Sequence, residues 1–167
     1  MTASANATTD NPLLADGGLP RFDKIRPEHV EPALLETLAA QRAALAEAEQ
    51  VERPDLEWLA GLERIHDAVR RVWGPVSHLN SVVSTPALRD AYNAGLPLIT
   101  EFNTEVAQNE ALYARFLELE QSLPKDRPVE RELVAQTLRD FRLGGVALKG
   151  ADRERFREIM QRLAALQ

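Results

Sequence analysis

The three histidines, His29, His66 and His78, are the side chains in this sequence best suited to metal or acid–base chemistry. A catalytic zinc commonly uses two histidines one helical turn apart together with a carboxylate, as in the motif His-Glu-x-x-His. No two histidines of this chain are four residues apart, and cysteine is absent. The sequence therefore predicts no metal site and no disulfide of its own.

A second pattern, Glu63-x-x-His66, matches one element of the carboxylate-bridged di-iron bundles. Such a site needs two copies of that element and a Glu from each of two further helices, and the sequence has one copy. His66 follows Leu62 by four residues on an apolar stripe. We therefore predict a histidine at the edge of the core, held by a local partner, rather than an iron ligand.

Nucleophilic and phosphate chemistry are not indicated either. Ser77 and His78 are adjacent, so their side chains diverge on a helix, and the sequence contains no Gly-x-Ser-x-Gly elbow and no Gly-rich phosphate loop. The net charge of −6 argues against nucleic acid as a partner, and no apolar run approaches a membrane span. The sequence predicts no catalytic residue, no secretory signal and no membrane segment.

Composition favours an all-α fold, because Ala, Leu, Glu, Arg and Gln dominate. Apolar periodicity predicts about six long, antiparallel, kinked helices packed as an irregular bundle without a sheet. Pro75 predicts a kink or a break in the second helix, and Gly144-Gly145 predicts the end of the fifth. The predicted helices cover 27–49, 55–83, a third beginning at Pro86, a short fourth over 112–119, 128–143, and a sixth after Asp152.

Three segments are predicted along the chain. Residues 1–11 are small and polar, which is typical of a disordered tail. Residues 12–26 should form an extended arm, pinned to the helices by apolar side chains that include Leu19 and Phe22. Residues 27–167 should form a helical lobe. The apolar stripe of the sixth helix continues to Gln167 without a stop signal, so we expect a lobe truncated within that helix, with an uncovered face.

The stretch 74–82 is unusual, because four polar side chains interrupt an otherwise amphipathic helix. One interpretation is a kink at Pro75 whose freed carbonyls these groups satisfy. The other is a polar surface that faces a partner domain or a ligand channel. The two groups least explained by the amphipathic pattern, His78 and Asn80, are the candidate residues for a channel or lobe interface.

Four stretches of the sequence resemble the N-terminal part of the thimet-type zinc oligopeptidases. They are residues 11–14, 22–33, 75–82, and 138–141 ahead of Gly144-Gly145, and they occur in the family's order and at similar spacing. The resemblance covers nearly the whole chain. Runs of this length are more specific than a short motif.

The resemblance implies cytosolic, almost wholly helical endopeptidases in which two lobes flank a deep channel that admits short peptides. One zinc, held by a His-Glu-x-x-His helix and a downstream Glu, performs the hydrolysis. This chain would be the first quarter, a non-catalytic N-terminal lobe that helps wall the channel and is inactive alone.

Zinc would lie in a C-terminal catalytic domain absent from this chain, so no catalytic or metal residue is carried over. That domain and short peptides would be the partners, and the location would be cytoplasmic. The alternative is a stand-alone helical interaction module derived from the lobe.

Overall fold

A computed structural model describes residues 11–15 and 17–166, and the elements within these ranges are helical, with no strand. The all-α prediction is therefore confirmed. The predicted tail, residues 1–11, lies outside the described residues except for Asn11. The helices are α1 (Val30–Glu49), α2 (Leu56–Val82), α3 (Pro86–Ala107), α4 (Glu110–Ser122), α5 (Pro128–Leu143) and α6 (Gly150–Ala165), with a 3-10 turn at Pro27–His29.

The chain enters α1 through a short hydrogen-bonded turn. The side chain of Asn11 donates to the backbone oxygen of His29 (2.9 Å) and accepts from the amide of Leu13 (3.0 Å). Leu13 and Ile25 are buried, so two apolar side chains anchor this entry. Leu19 is 91% exposed, and the prediction that it packs on the helices is wrong. The glycine-containing turn around Leu19 faces solvent instead.

Side-chain caps begin three of the helices. Asp55 accepts from the amide of Trp58 (2.9 Å), Thr85 from Leu88 (3.3 Å) and Asn109 from Leu112 (3.0 Å). Each cap satisfies an amide that has no partner within the first turn. The Asn109 cap separates α3 from α4, and α4 is longer than the fourth helix predicted over 112–119.

The second and fifth helices test the two predicted interruptions. α2 continues through Pro75 as one helix, so the break considered there is excluded. α5 ends at Gly144-Gly145 as predicted: Gly145 has φ 85°, and the amide of Val146 donates to the oxygen of Phe141 (3.1 Å). This is the hydrogen-bond pattern of a Schellman motif, which glycine favours because the left-handed conformation carries no Cβ penalty.

The core forms where α1 packs against α2 and α3, and where α4 and α5 pair with each other. Aromatic contacts mark two separate seams. Trp58 meets Phe116 edge-on with 5.0 Å between ring centroids, whereas Trp73 stacks on Tyr92 at 4.8 Å. Both seams involve α2. Among the described residues, no helix is long and apolar enough to cross a membrane.

Candidate functional site

The three histidines lie in separate surroundings. His29 accepts a hydrogen bond at Nδ1 from the amide of Arg26 (3.0 Å), which gives it a role in starting the first helix. His66 is exposed and lies at the rim of a cleft whose walls include the buried Leu62 and Phe116, so it is an edge residue and not a core one. The cause is its place on α2, one step beyond the buried stripe of Leu62 and Ile65. No three metal-binding side chains cluster within residues 11–15 and 17–166.

The two candidate interface residues on α2 differ from each other. His78 is exposed, and its ring lies 5.3 Å from the ring of Phe22, centroid to centroid. Asn80 is partly buried, and its Oδ1 has no hydrogen-bond partner among the described residues. Because the residues are two apart on a helix, they do not share a face. His78 thus contacts Phe22 of the segment that leads into α1, whereas Asn80 has a buried side-chain oxygen without a hydrogen-bond donor among the described residues.

Not all polar side chains of 74–82 bind the carbonyl group that Pro75 leaves without a donor. Pro75 has no amide to offer the oxygen of Arg71, four residues earlier. The hydroxyl of Ser81 instead donates to the oxygen of Ser77 (2.9 Å). This bond supports the last turn of α2. The hydrogen bond does not reach the oxygen of Arg71, which Pro75 leaves without its helical donor. It therefore does not support the interpretation that the polar groups satisfy carbonyls freed by the kink.

A cleft of about 490 Å³ opens between α1, α2, α3, α4 and α5. Its walls are mainly apolar, and Phe116 and Phe141 contribute two rings. Glu63, His66 and Asp140 lie at its polar edge. These three side chains are exposed to solvent. The mainly apolar walls of the cleft suit an apolar group.

A polar cluster that the sequence reasoning missed joins α6 to the end of α3. Gln108 is 1% exposed, and its Oε1 accepts from Nε of Arg153 (3.3 Å) and of Arg157 (3.0 Å). Arg153 also donates to the backbone oxygen of Gln108. Together with Glu110 and Lys149, these residues are called the Gln108 cluster below. Hydrogen bonds from charged donors are the stronger kind, which makes the cluster the principal polar attachment of α6.

Glu110 completes the cluster at its solvent side. Its carboxylate lies 2.5 Å from Nζ of Lys149 and 3.0 Å from Nη1 of Arg153. The hydrogen bond from Lys149, followed by the charge of that ammonium, lowers the pKa of Glu110 below its usual value. A sequence signal for the cluster exists: Lys149, Arg153 and Arg157 repeat every four residues, which places three cations on one side of a helix.

The sequence matches a known class of protein. Residues 33–153 match the family described as Neurolysin/Thimet oligopeptidase, N-terminal domain. That match covers well over half of the chain. The chain therefore belongs to this family, and its matched part is the family's N-terminal domain.

Within the family, the chain is similar to oligopeptidase A. It is 37% identical over 161 residues to oligopeptidase A of Haemophilus influenzae and 38% identical over 166 residues to that of Escherichia coli. It is also 33% identical over 169 residues to the "Probable cytosolic oligopeptidase A" of Arabidopsis thaliana. These alignments cover 93–98% of this chain but only 23–24% of each relative. The chain thus spans about a quarter of the length of the curated relatives it matches, which confirms the predicted likeness to an N-terminal segment.

Proposed function

We propose that this chain is the non-catalytic N-terminal lobe of an oligopeptidase A-like zinc metalloendopeptidase, and that it is inactive alone. The observation that carries the proposal is the match of residues 33–153 to the N-terminal domain of the family, within relatives about four times longer. The names of those relatives assign them oligopeptidase activity. Their remaining three quarters are where we place the catalytic residues.

The described residues do not fit a zinc site. The three histidines are dispersed, and the exposed carboxylates do not converge with them into a set of ligands. A catalytic zinc needs three protein ligands held in a fixed geometry. We therefore assign zinc to a catalytic domain carried by the rest of the polypeptide and derive no catalytic step from this chain.

The role that we propose for this chain is steric. In the proposed enzyme the lobe walls a channel for short peptides, and its bulk excludes folded proteins. Two features of the lobe would face such a channel: the cleft edged by Glu63 and His66, and the exposed His78 against Phe22. The unpaired oxygen of Asn80 supports a position at the channel or at the boundary with the second lobe, since a buried acceptor gains from a partner. A cytoplasmic location belongs to the same proposal.

Two measurements test the proposal. Purified residues 1–167 should hold far less than one zinc per chain by elemental analysis, and should leave a quenched-fluorescence peptide uncut. The gene product of the intact reading frame should hold one zinc and cut the same peptide, yet leave that peptide uncut when it is embedded in a folded protein.

Chelator-sensitive cleavage by residues 1–167 would contradict the assignment of catalysis elsewhere. An intact gene product without zinc or peptidase activity would favour the stand-alone interaction module instead.

A further inference from the structure

The sixth helix differs from the others in how it is attached. None of the residues of α6 is buried, whereas each of the other five α-helices has at least three buried residues. Its inner side lies along α3: Arg153 and Arg157 reach Gln108, and Gln161 reaches the oxygen of Pro97 (3.5 Å). The helix is therefore held largely by polar groups on the side that faces the domain.

The outer side of α6 carries three exposed apolar side chains next to charged ones such as Arg155 and Arg162. Ile159 is 45% exposed, Leu163 49% and Leu166 76%. Spacings of four and three residues place these side chains on one face of a helix. An amphipathic helix ordinarily turns such a stripe toward a core. Here the arginines at the Gln108 cluster fix the opposite orientation, so the stripe is directed away from the domain.

We infer that this outer face, defined by Ile159, Leu163 and Leu166, is the surface on which the catalytic part of the same polypeptide docks. The inference rests on the proposed function. It is supported by the family match, which stops at residue 153 in the first turn of α6. The turns that carry the stripe lie beyond the matched residues. The relatives continue for three quarters of their length outside the aligned segment.

The size of the face favours a tethered partner over a second copy of the chain. A helix of 16 residues is about 24 Å long and about 10 Å wide, so one face offers on the order of 250 Å². Stable complexes of separate proteins typically bury about 800 Å² on each partner. A covalent tether raises the effective concentration of the partner to about the millimolar range, so a small apolar face suffices.

The absence of cysteine from residues 1–167 allows a direct test. Leu163→Cys and Leu35→Cys form a matched pair, because the two leucines are 49% and 51% exposed on α6 and α1. Each variant is made in the intact gene product and alkylated under native conditions, and the rate is read at that site by peptide mass spectrometry. We expect the thiol introduced at position 163 to react about tenfold more slowly than the thiol at position 35, as for a site accessible about a tenth of the time.

The outcomes separate the two proposals. An intact product that lacks peptidase activity overturns the proposed function, and the docking surface with it. An active product in which the thiol on α6 reacts as fast as the thiol on α1 overturns the docking surface alone. Equal protection of both thiols also overturns it, because α6 is then not distinguished from another exposed position. Protection that grows with protein concentration would instead assign the face to a second copy of the chain.

Discussion

The bundle of α1–α5 and the helix α6 are held by opposite kinds of interaction. In the bundle, side chains such as Phe102 and Leu34 are almost completely buried, and apolar contact supplies the stability. In α6 the attachment runs through Arg153, Arg157 and Lys149, while the apolar stripe faces outward. An amphipathic pattern thus predicts a helix well but does not say which face of that helix packs on its own domain. Substitutions in the two regions should therefore differ in how much they lower the free energy of unfolding and in whether they affect the whole domain or α6 alone.

The largest effect is expected from Phe102→Ala in α3. Phe102 is 1% exposed, and removal of a buried aromatic ring costs about 3–5 kcal/mol through lost transfer energy and a residual cavity. Phe156→Ala in α6 is the matched control, because Phe156 is only partly buried and should cost about 1 kcal/mol. Urea denaturation measures both. Equal losses would show that α6 belongs to the same core as α3.

Two glycines test how tightly the bundle is packed. A Cβ at Gly95 would lie 2.7 Å from Cδ1 of Leu34 and 2.8 Å from the ring of Trp73, whereas a Cβ at Gly74 would meet nothing within 4 Å. Gly95→Ala should therefore destabilise the protein by about 1–3 kcal/mol. Gly74→Ala should stabilise it by up to about 1 kcal/mol, because alanine favours the helix. Thermal unfolding gives the sign of each change, and a stabilising Gly95→Ala would contradict the close contact.

Gln108→Met should loosen α6 without unfolding the bundle. The substitution keeps the volume and removes the oxygen that accepts from Arg153 and Arg157. Since a hydrogen bond to a charged group is worth about 1.5–3 kcal/mol, amide exchange in α6 should accelerate about tenfold or more. Hydrogen-exchange mass spectrometry compares α6 with α1 and α2, where little change is expected. Gln136→Met is the control, because Gln136 is exposed on α5 and donates to Glu132 of the same helix. A uniform loss of protection would refute a local attachment.

The smallest effect concerns Glu110 and pH. Lys149 lowers the pKa of Glu110 in the folded protein, so the carboxylate stabilises α6 above the pKa of the unfolded chain. That contribution is lost as pH falls through the lowered pKa. Glu110→Gln should accelerate exchange in α6 at neutral pH, and the difference from the unchanged protein should vanish in acid. Added salt should reduce it as well. A difference that persists in acid would contradict the ionic origin.

Much of the fold could be predicted from local signals. The start of the third helix at Pro86 and the end of the fifth at Gly144-Gly145 are each set within one turn of chain, and both predictions are confirmed. The exposure of His66 was harder to predict, because a stripe on a long helix drifts and one position decides between core and solvent. Leu19 was misplaced because an irregular segment has no period to orient its side chains.

The Gln108 cluster could not be predicted from the residues around Gln108. Its acceptor lies at the end of α3, and its donors follow 45 and 49 residues later. Pairing of this kind depends on how α5 ends and on the direction in which the chain returns, which no local pattern contains. The candidate residues His78 and Asn80 are likewise placed by tertiary packing, and their role at a channel or interface stays a prediction.

The positions of the two tryptophans decide which part of the protein intrinsic fluorescence reports. Trp58 reports the seam between α2 and α4, and Trp73 the seam between α2 and α3, so both fluorophores are on α2. The chain has no third tryptophan. Its intrinsic tryptophan fluorescence therefore reports on the α1–α5 bundle, and α6 contains no tryptophan. A fluorescence melt will read as one clean transition even when the sixth helix has already left the surface of α3.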